Sequence, residues 1–364
     1  MASQYVGIDL HRRRSVIVRQ TPDGEVLETV RINNDPVALA CQIEKAGPDP
    51  EVVLEATYGW SWAVDLLQAC GAQVHLAHPL GVKGFAYRRV KNDVRDASDL
   101  ADLLRMGRLP EAWIAPPDVR ELRELVRYRG KLVALRSGLK AQVHAVLAKE
   151  GVAVPLTELF GPAGLELIEQ AHLSPVYRLR ATSLLELIDA FDGEVEMLHR
   201  VIAARLATDC GYHAIQAIGG VGQTLAAVLV AEIGDVTRLA NPARLCSWAG
   251  LTPRHRESDT VVRRGHITKQ GSKLVRWAAI EAVHSLPAGT KLRADRDRIA
   301  ANRGKGIGKV AAAKSCSRWS RTGCVTGASA ACPNPTSRQC EWARGTPRTR
   351  ARLSAWPPAF GVVA

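Results

Sequence analysis

The chain has 364 residues, a hydrophobic fraction of 46% and a formal net charge of +13. Such a length allows two or three domains, and the apolar content suffices for ordinary cores, which excludes global disorder. No run approaches the roughly 18 apolar residues of a membrane span, so the charge points to a polyanionic partner, with nucleic acid first.

Met1-Ala2-Ser3-Gln4 shows no leader pattern and runs straight into a strand-like segment. The eight cysteines contain no C-x-x-C pair. Cys316, Cys324, Cys332 and Cys340 are spaced too widely for a zinc pair. A reduced, cytoplasmic protein is expected.

Residues 1–108 alternate strands and helices. Tyr5 to Asp9 is an apolar strand, Val16 to Arg19 a second, and Glu25 to Ile32 a third beyond the turn signal Thr21-Pro22-Asp23-Gly24. Asp35-Pro36 opens a helix through about Lys45, with Asp35 as N-cap and proline at N1. Val52 to Glu55 reads as a buried strand, Tyr58 to Ala69 as a helix and Ala72 to Ala77 as another strand. A three-stranded meander followed by strand–helix units suits an α/β domain with a mixed sheet and helices on its faces.

Ala115-Pro116-Pro117 marks a break. Asp118 to Lys149 then predicts a long helix whose stripe includes Leu122, Val126, Leu132, Leu135, Leu139, Val143 and Val146. Arg120, Arg123, Arg127, Lys131, Arg136 and Lys140 lie opposite. With a second helical stretch over Ala181 to Ala207, residues 116–208 read as a helical hairpin or coiled coil.

Residues 209–310 read as a further helical domain. Ile218-Gly219-Gly220-Val221-Gly222-Gln223-Thr224 precedes a helix from Leu225 to Glu232, a helix-hairpin-helix-like turn whose backbone amides suit a phosphate. Gly220, Gly222 and Thr224 are therefore candidate nucleic-acid contacts. Arg254 to Thr260 is expected to be a polar loop. Gly265 to Lys273 leads into a final helix from about Leu274 to Val283. Arg254, Arg256, Arg263, Arg264, Lys269 and Lys273 complete the basic candidates.

Residues 311–364 differ from the rest. Lys314 and seven arginines face the single Glu341, without helical or strand period and among many Pro, Ser, Thr and Gly residues. This segment is expected to be disordered.

The acidic residues carry the chemistry. Asp9 and Glu55 each close an apolar strand, and Asp93 and Asp96 lie one helical turn apart. Carboxylates at one sheet edge, joined by two more from a crossing helix, are hard oxygen ligands that suit Mg²⁺ and can serve phosphodiester displacement. Singly, each also suits a cap, a buried hydrogen bond or a solvated charge, and Asp99 continues the same series. A strand ending Gly-Ile-Asp also opens actin-like ATPases and sugar kinases, but their phosphate loop needs a glycine two residues on, where His11 and three arginines follow here.

With these residues the chain resembles the DEDD-type transposases of the insertion-sequence family numbered one hundred and ten, which includes pilin-gene invertases. The resemblance spans about residues 4–313. It runs through Gly7-Ile8-Asp9, Leu54-Glu55-Ala56-Thr57-Tyr58-Gly59, His78-Pro79 and Lys91-Asn92-Asp93-Val94-Arg95-Asp96-Ala97. It continues through Ile218 to Thr224, Ala231-Glu232-Ile233-Gly234-Asp235, Ala249-Gly250-Leu251-Thr252-Pro253, Glu257-Ser258 and Gly265 to Gly271. It implies a resolvase-like RNase H fold at the N-terminus, with Asp9, Glu55, Asp93 and Asp96 as the metal-binding tetrad and Asp99 outside it. It also implies a helical transposase domain whose catalytic serine, Ser258, becomes covalently joined to DNA phosphate. Family members are similar in using a structured guide RNA that pairs with donor and target DNA, and in assembling as homo-oligomers, here a dimer or tetramer, in which the two domains meet at a composite site. Two departures stand out. Asp259 replaces the glycine usual after the serine, and the last apolar helix expected after Ala313 is missing, which suggests a change of reading frame there.

Overall fold

The computed structural model describes residues 4–85 and 92–316 and divides into two compact units, Met1–Pro116 and Pro117–Ala364. The first unit runs β1 (Tyr5–Leu10), β2 (Arg14–Gln20), β3 (Val26–Asn33), α1 (Pro36–Glu44), β4 (Glu51–Glu55), α2 (Trp60–Ala69), β5 (Gln73–Ala77), α3 (Pro79–Val82), α4 (Asp93–Arg105) and β6 (Glu111–Ala112). Its sheet has the order β3-β2-β1-β4-β5-β6, with β1, β4 and β5 parallel and the remaining pairings antiparallel. The expected mixed sheet is present, and β6, too short to leave a periodic signal, adds an edge.

Strand alternation builds three layers. Val6, Ile8, Leu10, Val52 and Leu54 are buried with Leu39 and Ile43 of α1 and Ala63, Val64 and Leu67 of α2. On the other face, Val16 and Val18 pack with Ala97, and Val53 and Ala77 pack with Leu100 of α4. Asp35 caps α1 as expected, accepting from Ala38 N at 2.9 Å with proline next.

The second unit runs α5 (Pro117–Lys149), α6 (Pro162–Gln170), α7 (Pro175–Arg205), α8 (Cys210–Gln216), α9 (Gln223–Ile233), α10 (Pro242–Trp248), β7 (Pro253–Ser258), β8 (Val261–Ile267), α11 (Lys273–His284) and α12 (Lys291–Arg303), then a helical run over 305–316. α5 and α7 pack as an antiparallel hairpin. Leu132 meets Val195 and Leu198, while Val143, Val146 and Leu147 meet Ala181, Leu184 and Ile188. Leu135, placed in the stripe by its spacing, is exposed. Leu122, Val126, Ile202 and Leu206 share one core with α8, α9, α10 and α11, so the hairpin and the C-terminal helices form a single compact unit.

Three expectations change. Arg254 to Thr260 is not a loop: β7 and β8 form an antiparallel hairpin. β7 is exposed throughout and β8 opens with the adjacent, exposed Val261 and Val262, so no apolar alternation betrayed them. The helix at Lys273 is not the last, because α12 and the run over 305–316 follow. α12 buries no side chain and so left no stripe. Residues 311–316, read from composition as the start of a disordered tail, are helical, and Ala312, Ala313 and Cys316 are buried in the core. The remainder of that segment, 317–364, and Lys91 lie outside the described residues. Among the described residues no cysteine forms a disulfide, and no helix is long and apolar enough to cross a membrane.

Candidate active site

The acidic residues of the first unit are placed by the way α4 meets β1. Gly7 points at α4, and a Cβ there would sit 1.9 Å from the Ala97 carbonyl oxygen. The helix therefore rests directly on the strand backbone. Asp9 is one pleat beyond Gly7 on the same face, and Asp93 is one helical turn before Ala97. On the neighbouring parallel strand, Ile8 pairs with Leu54, and Glu55 follows one pleat beyond Val53, which also faces α4. Asp9, next to last in β1, and Glu55, last in β4, thus lie on one face of adjacent strands and line one cleft with His11, Arg12, Thr57 and Tyr58.

Asp93 and Asp96 occupy the first turn of α4, where the helix dipole favours negative charge, and Asn92 caps the helix by accepting from Val94 N at 3.0 Å. Asp96 is partly buried and Asp99 is exposed. His11, which the sequence reading used only to argue against a phosphate loop, joins Asp9 to Asp93. Its Nε2 is 3.0 Å from Asp9 Oδ2 and 3.6 Å from Asp93 Oδ1. Ligand atoms of Asp9, His11 and Asp93 all lie within 4.8 Å of one another. Arg14 stands 3.7 Å from Asp93 Oδ2. Two carboxylates and an imidazole at this spacing are a chemically suitable donor set for one divalent ion. The available signal for His11 was its position two residues past a strand-borne aspartate.

In the second unit, Ser258 ends β7 and pairs with Val261 across the two-residue turn Asp259-Thr260. Arg256 pairs with Arg263 one step down. Residues two apart share a strand face, so Arg254, Arg256 and Ser258 lie on one face together with Arg263. Arg264 takes the alternate register, opposite His255. All four of Arg254, Arg256, Ser258 and Arg263 are exposed. Asp259 has φ 52°, in the left-handed region that glycine adopts at least cost. The hairpin base is tied down by Thr268 N donating to Thr252 O at 2.9 Å and Lys269 N to Gly250 O at 3.1 Å. Lys269 and Lys273 are exposed beside it.

The turn between α8 and α9 holds the other nucleic-acid candidates. Gly220, at φ 85°, lies against α11, where a Cβ would come within 2.2 Å of Ala282 O. Gly222 is the N-cap of α9, and Gly222 and Thr224 line an open concavity with Gly219 and Ser285. The first amides of α9 lack intrahelical acceptors and can meet a phosphate there.

Near the C-terminal end of α9 lies Glu232, which is buried and which sequence reasoning noticed only as part of a motif. Arg127 donates to both its carboxylate oxygens, at 2.7 and 3.1 Å, and Ser272 Oγ to Oε2 at 3.1 Å. Arg123 donates to the carbonyls of Ala231 and Glu232. Burial pushes the Arg123 guanidinium down to about 10, while hydrogen bonding to Glu232 holds Arg127 above its usual value.

Comparison with known proteins gives these features a common frame. Residues 6–150 match a family described as transposase, the DEDD type of IS110, and residues 212–295 match one described as transposase IS116/IS110/IS902 family. The chain belongs to the IS110 family of transposases. The first match ends on α5, and the second covers the α8–α9 turn and the β7–β8 hairpin. The DEDD type implies use of a divalent metal.

The y4qE protein of Sinorhizobium fredii, whose name describes it as a transposase, is 30% identical over 194 residues, covering 53% of this chain and 47% of that protein. The insertion element IS116 44.8 kDa protein of Streptomyces clavuligerus is 27% identical over 334 residues, 75% of this chain and 82% of that one. The transposase for insertion sequence element IS1111A of Coxiella burnetii is 25% identical over 280 residues, 75% of each. The chain thus spans about half the length of the y4qE relative and three quarters or more of the other two.

Proposed function

We propose that this IS110-family chain is a DNA transposase that cuts and rejoins DNA through a covalent bond between Ser258 and a DNA phosphate. The observation that carries this reading is the hairpin register, which groups Ser258 with Arg254, Arg256 and Arg263 on one exposed face. In the step, a bond forms between Ser258 Oγ and phosphorus, and the bond from phosphorus to a sugar oxygen breaks. The serine proton leaves to a base and the departing sugar oxygen takes one up. Attack by a sugar hydroxyl of the partner strand reverses the exchange and frees the serine. Arginines placed beforehand on the same face stabilise the charge that develops on the phosphate oxygens.

Asp9, Glu55, Asp93 and Asp96 form the metal-binding tetrad in this reading, with Mg²⁺ as the ion their oxygens suit. When bound, such an ion polarises phosphate and stabilises a leaving oxygen. Gly220, Gly222, Thr224, Arg264, Lys269 and Lys273 hold the nucleic-acid backbone. The partners are donor and target DNA, a structured guide RNA and further copies of the chain as a dimer or tetramer.

A metal-dependent junction nuclease is the second reading, favoured by a carboxylate cleft built entirely within the first unit. The two separate on Ser258→Ala, assayed with native donor ends and RNA. The transposase loses its covalent protein–DNA adduct on a denaturing gel, whereas a nuclease keeps cutting. If the unsubstituted chain forms no adduct and supports no recombination, then Asp259 and the altered C-terminal segment mark a disabled nucleic-acid-binding remnant.

A further inference from the structure

The β1–β2 turn holds His11 in place by more than chance contact. His11 N donates to Arg14 O at 3.2 Å, closing the turn. Asn34, just past the end of β3, reaches across with both ends of its amide. Its Nδ2 donates to the His11 carbonyl at 2.5 Å, and its Oδ1 accepts from the hydroxyl of Ser15 at 2.6 Å. Ser15 is 2% exposed, so this clamp is anchored in the sheet. The backbone of His11 is thereby fixed while its ring leans between two carboxylates from different elements.

The spacing is that of ligands around one ion. Metal bonds of about 2.1 Å place neighbouring ligand atoms roughly 3 Å apart, and His11 Nε2 lies 3.0 Å from Asp9 Oδ2 and 3.6 Å from Asp93 Oδ1. The Asp9 side chain is 14% exposed and that of Asp93 30%, so the centre is shielded on the protein side and open through His11, at 42%. A site of oxygen donors alone suits Mg²⁺, whereas imidazole strengthens binding of first-row transition ions and adds little for Mg²⁺.

We propose that His11 Nε2 is a nitrogen ligand of the ion held by Asp9 and Asp93, and that it raises affinity for Mn²⁺ relative to Mg²⁺. The proposal rests on the reading that Asp9 and Asp93 hold a divalent ion. Asn34 and Ser15 are positioning residues that act through the His11 backbone.

Pulsed electron paramagnetic resonance of the full chain loaded with Mn²⁺ alone, without DNA, tests it directly. A directly bound imidazole gives a nitrogen coupling in the echo modulation, expected in the unsubstituted protein and lost in His11→Gln. Competition titration should show Mn²⁺ affinity falling about tenfold or more in His11→Gln, with a markedly smaller change for Mg²⁺. Circular dichroism confirms that the variant is folded. Absence of a nitrogen coupling, its persistence in His11→Gln, or equal changes for both ions would overturn the proposal and make His11 a hydrogen-bond partner of Asp9. Asp93→Asn isolates the underlying reading: if it leaves both affinities intact, the ion is not held here at all, whatever His11 does.

Discussion

Gly7 and the carbonyl of Ala97 are in contact so close that no other residue fits position 7: an added Cβ would lie 1.9 Å from the oxygen. This contact sets the height of α4 above β1 and hence the distance from Asp9 to Asp93. Gly7→Ala is expected to lift α4 and destabilise the first unit by about 1–3 kcal/mol, the range for overpacking. Chemical denaturation measures the loss. Titration with Mn²⁺ should show weakened binding even under conditions where the variant is folded, because Asp93 moves with the helix.

Arg256 and Arg263 face each other across the hairpin. Like charges directly opposite destabilise a strand pair unless an anion lies over them. Each substitution to alanine should reduce the slope of log affinity against log salt by about one if that arginine meets a phosphate. Adduct formation should fall roughly a hundredfold or more if it also stabilises the reacting phosphate. Filter binding across a salt series and denaturing gels read the two effects separately. An unchanged slope removes the arginine from the DNA interface.

Asp259 follows the proposed nucleophile with φ 52° and, on that proposal, adds a carboxylate beside the attacked phosphate. Asp259→Gly relieves about 1 kcal/mol of left-handed strain and one unit of repulsion. It is expected to raise the rate of adduct formation while leaving binding of Mn²⁺ unchanged. A lower or equal rate would show that the aspartate is tolerated at this turn.

Glu232 organises the second unit from inside. Glu232→Gln removes the charge that Arg127 and Ser272 address and leaves Arg123 among buried carbonyls without its compensating neighbour. The expected cost is about 2 kcal/mol, from lost hydrogen bonds to a charged group. For a unit of this size that is a drop of about 4–8 °C in melting temperature. Differential scanning calorimetry checks it, and the Mn²⁺ affinity of the first unit should not change.

Much of this architecture was legible because apolar periodicity is a strong signal. The buried strands β1 and β4, the capped start of α1 and the long stripe of α5 announced themselves, and the carboxylates stood out because Asp9 and Glu55 close apolar runs and Asp93 and Asp96 lie one helical turn apart. What stayed hidden lacked such a pattern. β7 is exposed throughout, β8 sets Val261 and Val262 side by side instead of alternating, their turn is Asp259-Thr260 rather than an Asn-Gly pair, and α12 buries nothing. His11 was invisible as a partner of Asp93 because the contact depends on α4 seating over Gly7, a relation between segments far apart in the chain. Glu232 looked like one motif letter until its three partners, from α5 and the start of α11, converged on it.

The helix over 305–316 changes what can be trimmed from this protein. Composition shifts near Ala313, yet Ala312, Ala313 and Cys316 are all buried, and Cys246 Sγ donates to the Lys314 carbonyl at 3.3 Å. Burial pushes the Cys316 thiol up to about 11, so it stays protonated and poorly reactive toward alkylating reagents. The shift in composition therefore falls inside a packed element and not at its border. Trimming back to Arg303 would strip one wall from the core that carries the hairpin and expose Cys246 to labelling.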